Sequence, residues 1–239
     1  MSRRYTAFII LLFSLLSSHV MALPEVTATY QSTSKQGFNK KVSNFTFSRN
    51  NQQVVTIYPQ KNTAEYWQKS ADGRHQFYRF FTANQCSVYY PSSDLRSLNI
   101  NRNWDSIEQL VPAIWLTRLK KMPASQQADS STIEHYKGQL GELWIELDWR
   151  SEQQIPQRLL TKKGYKSKEL ILQDFSLDTK SIEQQLVGWM RFSSIDYADV
   201  GDSEDDPFLA QMINQGFIEH AASSVYDANG KMIKSGHVH

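Results

Sequence analysis

The sequence predicts an α+β protein: an antiparallel sheet interrupted by a helical segment, with a C-terminal helix plus hairpin. Three observations predict it. Turn-forming residues recur at about ten-residue intervals through the first half of the chain, as a meander of antiparallel strands requires. One stretch, Trp104 to Lys121, leaves that alternation for helical spacing. Alternating strands then resume, most clearly at Leu143, Ile145, Leu147 and Trp149, which interleave with Glu142, Trp144, Glu146, Asp148 and Arg150.

Residues 1–22 carry the marks of a secretory signal peptide. Arg3 and Arg4 give the positive start, Ala7 to Leu16 is apolar, and Val20-Met21-Ala22 suits a cut after Ala22. The apolar run is shorter than the ~20 residues that span a bilayer. The expectation is a single exported domain, 23–239, in the periplasm, with a core sheet over 26–177 and an extension over 178–239.

The strands follow in order. Val26 to Thr33 begins the sheet. Val42 to Arg49 sets Phe45 and Phe47 on one face against Asn44, Thr46 and Ser48 on the other. Val54 to Tyr58, Ala64 to Lys69 and Arg74 to Phe81 come next, the last two joined at Ala71-Asp72-Gly73, where Asp-Gly favours a hairpin. Gln85 to Tyr90 reads as a strand holding Cys86, the single cysteine, as a small buried apolar residue. In the helical stretch, Ile107, Leu110, Val111, Ile114 and Leu119 share one side and Asn103 suits the cap. Pro112 predicts a kink there, or two short helices with the second starting at Pro112. Ser125 to Ser131 is a polar loop. After the Leu143 strand, Pro156–Lys163 and Ser167–Leu177 form a pair turning at Gly164-Tyr165. A helix over Asp178–Trp189 has Ser181 as its cap, with Ile182, Leu186 and Trp189 in line. Asp206 and Pro207 start a short helix to Phe217, and Ser223 to Lys234 forms the terminal hairpin.

Charge and motifs narrow the function. The formal charge of +2 comes from Arg3 and Arg4; without them 24 basic residues balance 24 acidic ones. Such a balance argues against a broad nucleic-acid surface. No Gly-x-Ser-x-Gly elbow, phosphate-cradling glycine loop or His-Glu-x-x-His occurs. Glu142 and Glu146 share a strand face, as on any solvated strand. No catalytic set and no cofactor motif emerge.

Two candidate sites remain. Aromatics crowd consecutive strands, and Tyr66, Trp67, Phe77, Tyr78, Phe80 and Tyr89 are the candidate ligand-binding residues, since apolar ligands take apolar and aromatic walls. They stand on both strand faces, which suits either a core plus a helix-covered patch or a face left open for a greasy ligand. The second candidate is a metal site. His237 and His239 lie two apart, His220 lies upstream, and imidazoles suit copper, zinc or nickel. The acidic loop Asp199 to Asp206 lies nearby but lacks the spacing of a helix–loop–helix calcium site; it reads as a solvated loop capping the next helix. His75 and His135 read as isolated exposed positions.

The hairpin Tyr66-Trp67-Gln68-Lys69-Ser70-Ala71-Asp72-Gly73-Arg74-His75-Gln76-Phe77-Tyr78-Arg79-Phe80 is similar to the strand–Asp-Gly–strand hairpin of periplasmic lipoprotein carriers. From Val26 to Leu177 the outline resembles their curved half-barrel, which implies a curved antiparallel sheet with a helix packed on the concave face. The resemblance implies a non-catalytic binding or carrier protein for a lipid, an acyl chain or an apolar protein segment. Its partners would be that ligand or lipoprotein-like cargo, with no nucleic acid and at most transient membrane contact. The alternative is a periplasmic metal-handling accessory factor built on the histidines and the acidic loop.

Overall fold

Alternation of apolar and polar residues governs the chain from Val26 onward, and strands result. The computed structural model describes residues 23–98, 100, 103–123 and 133–200. The strands are β1 (Val26–Gln36), β2 (Asn39–Asn50), β3 (Gln53–Tyr58), β4 (Thr63–Lys69), β5 (His75–Phe81) and β6 (Cys86–Tyr90) in the first meander. The second holds β7 (Lys120–Lys121), β8 (Ile133–Leu140), β9 (Leu143–Arg150), β10 (Ile155–Lys163) and β11 (Lys166–Ser176). The last strand among the described residues, β12 (Ser193–Asp196), pairs parallel with β6. All twelve form one sheet in the order β12-β6-β5-β4-β3-β2-β1-β11-β10-β9-β8-β7. The seam is β1 against β11, which joins the two meanders antiparallel. The fold is α+β with an antiparallel sheet whose edges are β7 and β12.

Period-two alternation sends one side chain in two to each face, and the two faces meet different fates. The first face carries Tyr30, Phe47, Trp67, Phe77, Tyr90, Leu147 and Trp149 in a continuous buried core. Three short helices cover it: α1 (Ser92–Ser97), α2 (Trp104–Glu108) and α3 (Ile114–Arg118). They contribute Leu95, Ile107 and Trp115, with Val111 and Leu119 beside them. The Trp104–Lys121 stretch is two short helices, one of the two outcomes expected at Pro112. The second starts at Ile114 rather than Pro112, whose carbonyl accepts the amide of Trp115. Asn103 holds the cap position with no side-chain cap bond. Instead the Asp105 carboxylate accepts the amide of Ala113 and ties the two helices together.

The second face is divided. Over β3–β5 it is apolar and covered by α4 (Lys180–Trp189), whose Ile182 and Leu186 pack on Val55, Ala64, Tyr66 and Phe80. Thr179 holds the cap position expected for Ser181, and its hydroxyl donates to Glu183 at 2.5 Å. Asn50 donates to the same carboxylate, which pins the start of α4 to the β2–β3 turn. Over β8–β11 the second face carries a charge ladder across four strands. Glu146 stands between Lys137 (3.7 Å) and Arg158 (3.6 Å), and Arg158 also meets Glu169 at 2.8 Å. Opposite charges directly across strands stabilise a sheet by ~0.2–1 kcal/mol each.

Candidate functional site

The six aromatic candidates do not converge. Register places Trp67 beside Phe77 and Phe77 beside Tyr90 on the first face. Their rings pack closely at a tilt, with centroids 4.4 Å apart for Trp67–Phe77 and 5.1 Å for Phe77–Tyr90. All three are buried, and α1 packs against the strands of Phe77 and Tyr90. Tyr66, Tyr78 and Tyr89 form a row on the second face, at 5.9 and 4.6 Å between successive centroids. Phe80 lies beside them under Trp189 and Phe192. Tyr78 and Tyr89 remain half-exposed. Burial pushes the Tyr66 hydroxyl up to about 12, so it stays a neutral donor. A core on one face and a helix-covered patch on the other account for this arrangement.

Two arginines stand inside the first face. Arg49 follows Phe45 and Phe47 at period two and is fully buried. Its guanidinium donates to four backbone carbonyls. Pro24 accepts from Nε and Nη2 at 3.0 and 2.7 Å, Glu108 at 2.6 Å, Gln153 at 2.7 Å and Gln154 at 3.2 Å. One side chain thus joins the strand entry, the last turn of α2 and the β9–β10 turn. Burial pulls Arg49 down to about 10, and it stays charged at neutral pH. Arg79, at the same parity as Phe77 and Phe81, donates to Glu65 at 2.7 Å across β4–β5, with side chains 5% and 14% exposed. Sequence reading passed over all three charged groups, yet strand alternation assigns each of them to the interior.

The cover over this face holds unusual features. Leu110, between α2 and α3, has φ +63°, a conformation that costs a bulky L-residue on the order of 1 kcal/mol or more. Five buried side-chain polar atoms find no hydrogen-bond partner among the described residues: Asp94 Oδ2 in α1, Gln153 Oε1 in the β9–β10 turn, and, around the cover, the Tyr90 hydroxyl, Gln109 Oε1 and Trp115 Nε1. Of the last three, two come from the α2–α3 segment and one from the sheet. Burial also raises the Tyr90 hydroxyl well above its ordinary range, partly offset by Arg79. Unpaired buried polar groups each cost ~1–3 kcal/mol.

The other candidates resolve as follows. His220, His237, His239, the acidic positions beyond Val200, the terminal helix and hairpin, and residues 1–22 lie outside the described residues. Among the described residues no group of three or more His, Cys, Asp or Glu side chains is placed to hold a metal ion. Cys86 is half-buried against the core rather than fully enclosed. The two histidines expected to be isolated have partners: His75 lies 5.3 Å from the Trp104 ring, and His135 hydrogen-bonds Asp148 at 2.8 Å. Glu142 pairs with Lys163 and Glu146 belongs to the ladder, so the two carboxylates stand in separate ion pairs.

No protein-family model matches the chain, and no curated protein does. Matches among solved structures include PNGF-II in two space groups. One is 10% identical over 75% of this chain and 32% of that chain, with TM-score 0.36. The other is 7% identical over 72% and 31%, again with TM-score 0.36. The chain thus spans about a third of those proteins, and a likeness at that score carries no argument.

Proposed function

We propose that this chain is an exported, non-catalytic binding or carrier protein for a lipid, an acyl chain or an apolar protein segment. The ligand occupies the first sheet face, and the α2–α3 segment is the cover that moves to admit it. One observation carries the reading: a sheet-wide apolar face is overlaid by helices of five or six residues, with orphaned polar atoms beneath them. Helices shorter than ~12 residues have little stability of their own. Such a cover is held by packing and by Arg49, and strain at Leu110 lowers the cost of lifting it. An acyl chain replaces the apolar contacts at ~25 cal/mol per Å². Its polar head satisfies the Trp115 and Tyr90 donors.

The bend of the sheet into a half-barrel belongs to the same proposal. Register shifts at Thr29/Tyr30 on β1 and Pro156/Arg158 on β10 support it, since bulges bend strands and increase their twist. Export and cleavage after Ala22 remain part of the proposal and rest on the character of residues 1–22. The test is titration of the purified chain with a fluorescent long-chain fatty acid. Saturable binding at one site per chain, displaced by unlabelled fatty acid, supports the reading; a linear, non-displaceable rise overturns it.

A further inference from the structure

We propose that the paired hairpin tips at Phe38 and Tyr165 form a docking site for an anionic phospholipid surface. Both tips repeat one pattern, a glycine followed by an aromatic and flanked by lysines: Lys35-Gln36-Gly37-Phe38-Asn39-Lys40-Lys41 and Lys162-Lys163-Gly164-Tyr165-Lys166. Gly37 and Gly164 take φ +57° and +54°, which suits the first central position of a tight hairpin turn and sets the aromatic at the tip. The β1–β11 seam then brings the two tips abreast. Gln36 pairs with Lys166, and the Gly37 amide donates to the Tyr165 carbonyl at 3.4 Å.

Hairpin tips ordinarily carry Asn, Asp, Gly or Ser. Here Phe38 is fully exposed and Tyr165 is 71% exposed, with Val42 exposed behind Phe38. Neither ring packs on the core. Lys166 lies 5.9 Å over the Tyr165 ring, and Lys35, Lys40, Lys41 and Lys162 are exposed around the pair. Stretches 35–42 and 161–168 contain no aspartate or glutamate. Glu142, on the neighbouring turn, is paired with Lys163 at 2.9 Å. A chain balanced in charge as a whole thus concentrates cations around two aromatics at one extremity of the sheet. Charge selects the occupant. Lysines are drawn to anionic headgroups, while aromatic rings partition into the headgroup–acyl boundary. A second copy of the chain would bring like charge against like. No helix among the described residues is long and apolar enough to cross a membrane.

The inference stands apart from the ligand reading, because the test needs no ligand on the first face. The chain from Leu23 onward is sedimented with vesicles of phosphatidylcholine, alone or mixed equally with phosphatidylglycerol. Binding is expected to the mixed vesicles only, to weaken with rising salt, and to fall at least tenfold in Phe38→Ser/Tyr165→Ser. That variant should keep the wild-type urea midpoint, since both side chains stand in solvent. In a second variant, Phe38→Trp, indole emission should shift to the blue on adding mixed vesicles. Equal binding to neutral vesicles, binding unchanged by the double substitution, or unshifted emission would overturn the proposal. So would a concentration-dependent dimer abolished by Phe38→Ser, which would assign the tips to self-association.

Discussion

Replacing Arg49 by methionine removes the one side chain that joins the strand entry, the end of α2 and the β9–β10 turn. Methionine keeps most of the aliphatic volume, so the loss is mainly one of hydrogen bonding. Five contacts of 2.6–3.2 Å to four carbonyls disappear. Charged donors contribute ~1.5–3 kcal/mol each, and bonds sharing one group do not add fully. Removing the charge also relieves the cost of burying it. The net expectation is a loss of about 3–5 kcal/mol. Urea unfolding measures it as a lowered midpoint at unchanged slope. Hydrogen exchange supplies a local readout: amides of 104–118 should lose protection more than those of β9, because the variant frees the cover before it weakens the sheet. Arg49→Lys should recover only part of the loss, since an ammonium cannot reproduce the guanidinium fork. A change below ~1 kcal/mol, or loss of protection spread evenly over the sheet, would refute the assignment of Arg49 as the anchor of α2.

Three further outcomes follow. Trp67→Ala should cost about 3–5 kcal/mol in urea unfolding, whereas Tyr78→Ala, on the half-exposed row, should cost well under half of that; similar losses would contradict the division of the aromatics between faces. Glu65→Gln should destabilise by about 2–4 kcal/mol, because the buried Arg79 loses the charge opposite it at 2.7 Å, and a neutral effect would show that water reaches the pair. Burial first, and then Lys69, hold His75 below its ordinary 6.5. The unfolded chain therefore takes up that proton at higher pH than the folded one, and stability falls as pH drops from about 7 through 6.5 and below. His75→Gln should flatten that part of the melting-temperature profile, and an unaltered profile would remove His75 from the account.

Much of the fold was legible because alternation is strict where one face is buried. Leu143 to Trp149 lie inward as their spacing requires, and the turns at Asp72-Gly73 and Gly164-Tyr165 fall where glycine permits them. The same rule would have placed Arg49, Glu65 and Arg79 inside, had parity been weighed above residue type. Charge normally signals solvent, but a guanidinium can be satisfied by carbonyls far apart in sequence, and such partners are invisible until the chain is folded. The Trp104–Lys121 stretch divides into two short helices, one of the two outcomes Pro112 predicts, but the second starts at Ile114, two residues beyond the proline. β12 gave no signal: four residues at a sheet edge, Ser193–Asp196, pair parallel with β6 only because α4 carries the chain across the second face. The aromatic candidates were found as residues but not as a site, since adjacent strand positions point to opposite faces.

The central claim is that the first sheet face receives an apolar ligand. Native mass spectrometry of the chain, purified without detergent from its native cells, addresses that claim most directly. The account predicts a species heavier than the polypeptide from Leu23 to His239, with the excess mass leaving as acyl-chain material on solvent extraction. A bare polypeptide mass, an empty extract and no displaceable fatty-acid binding in the same preparation would contradict it.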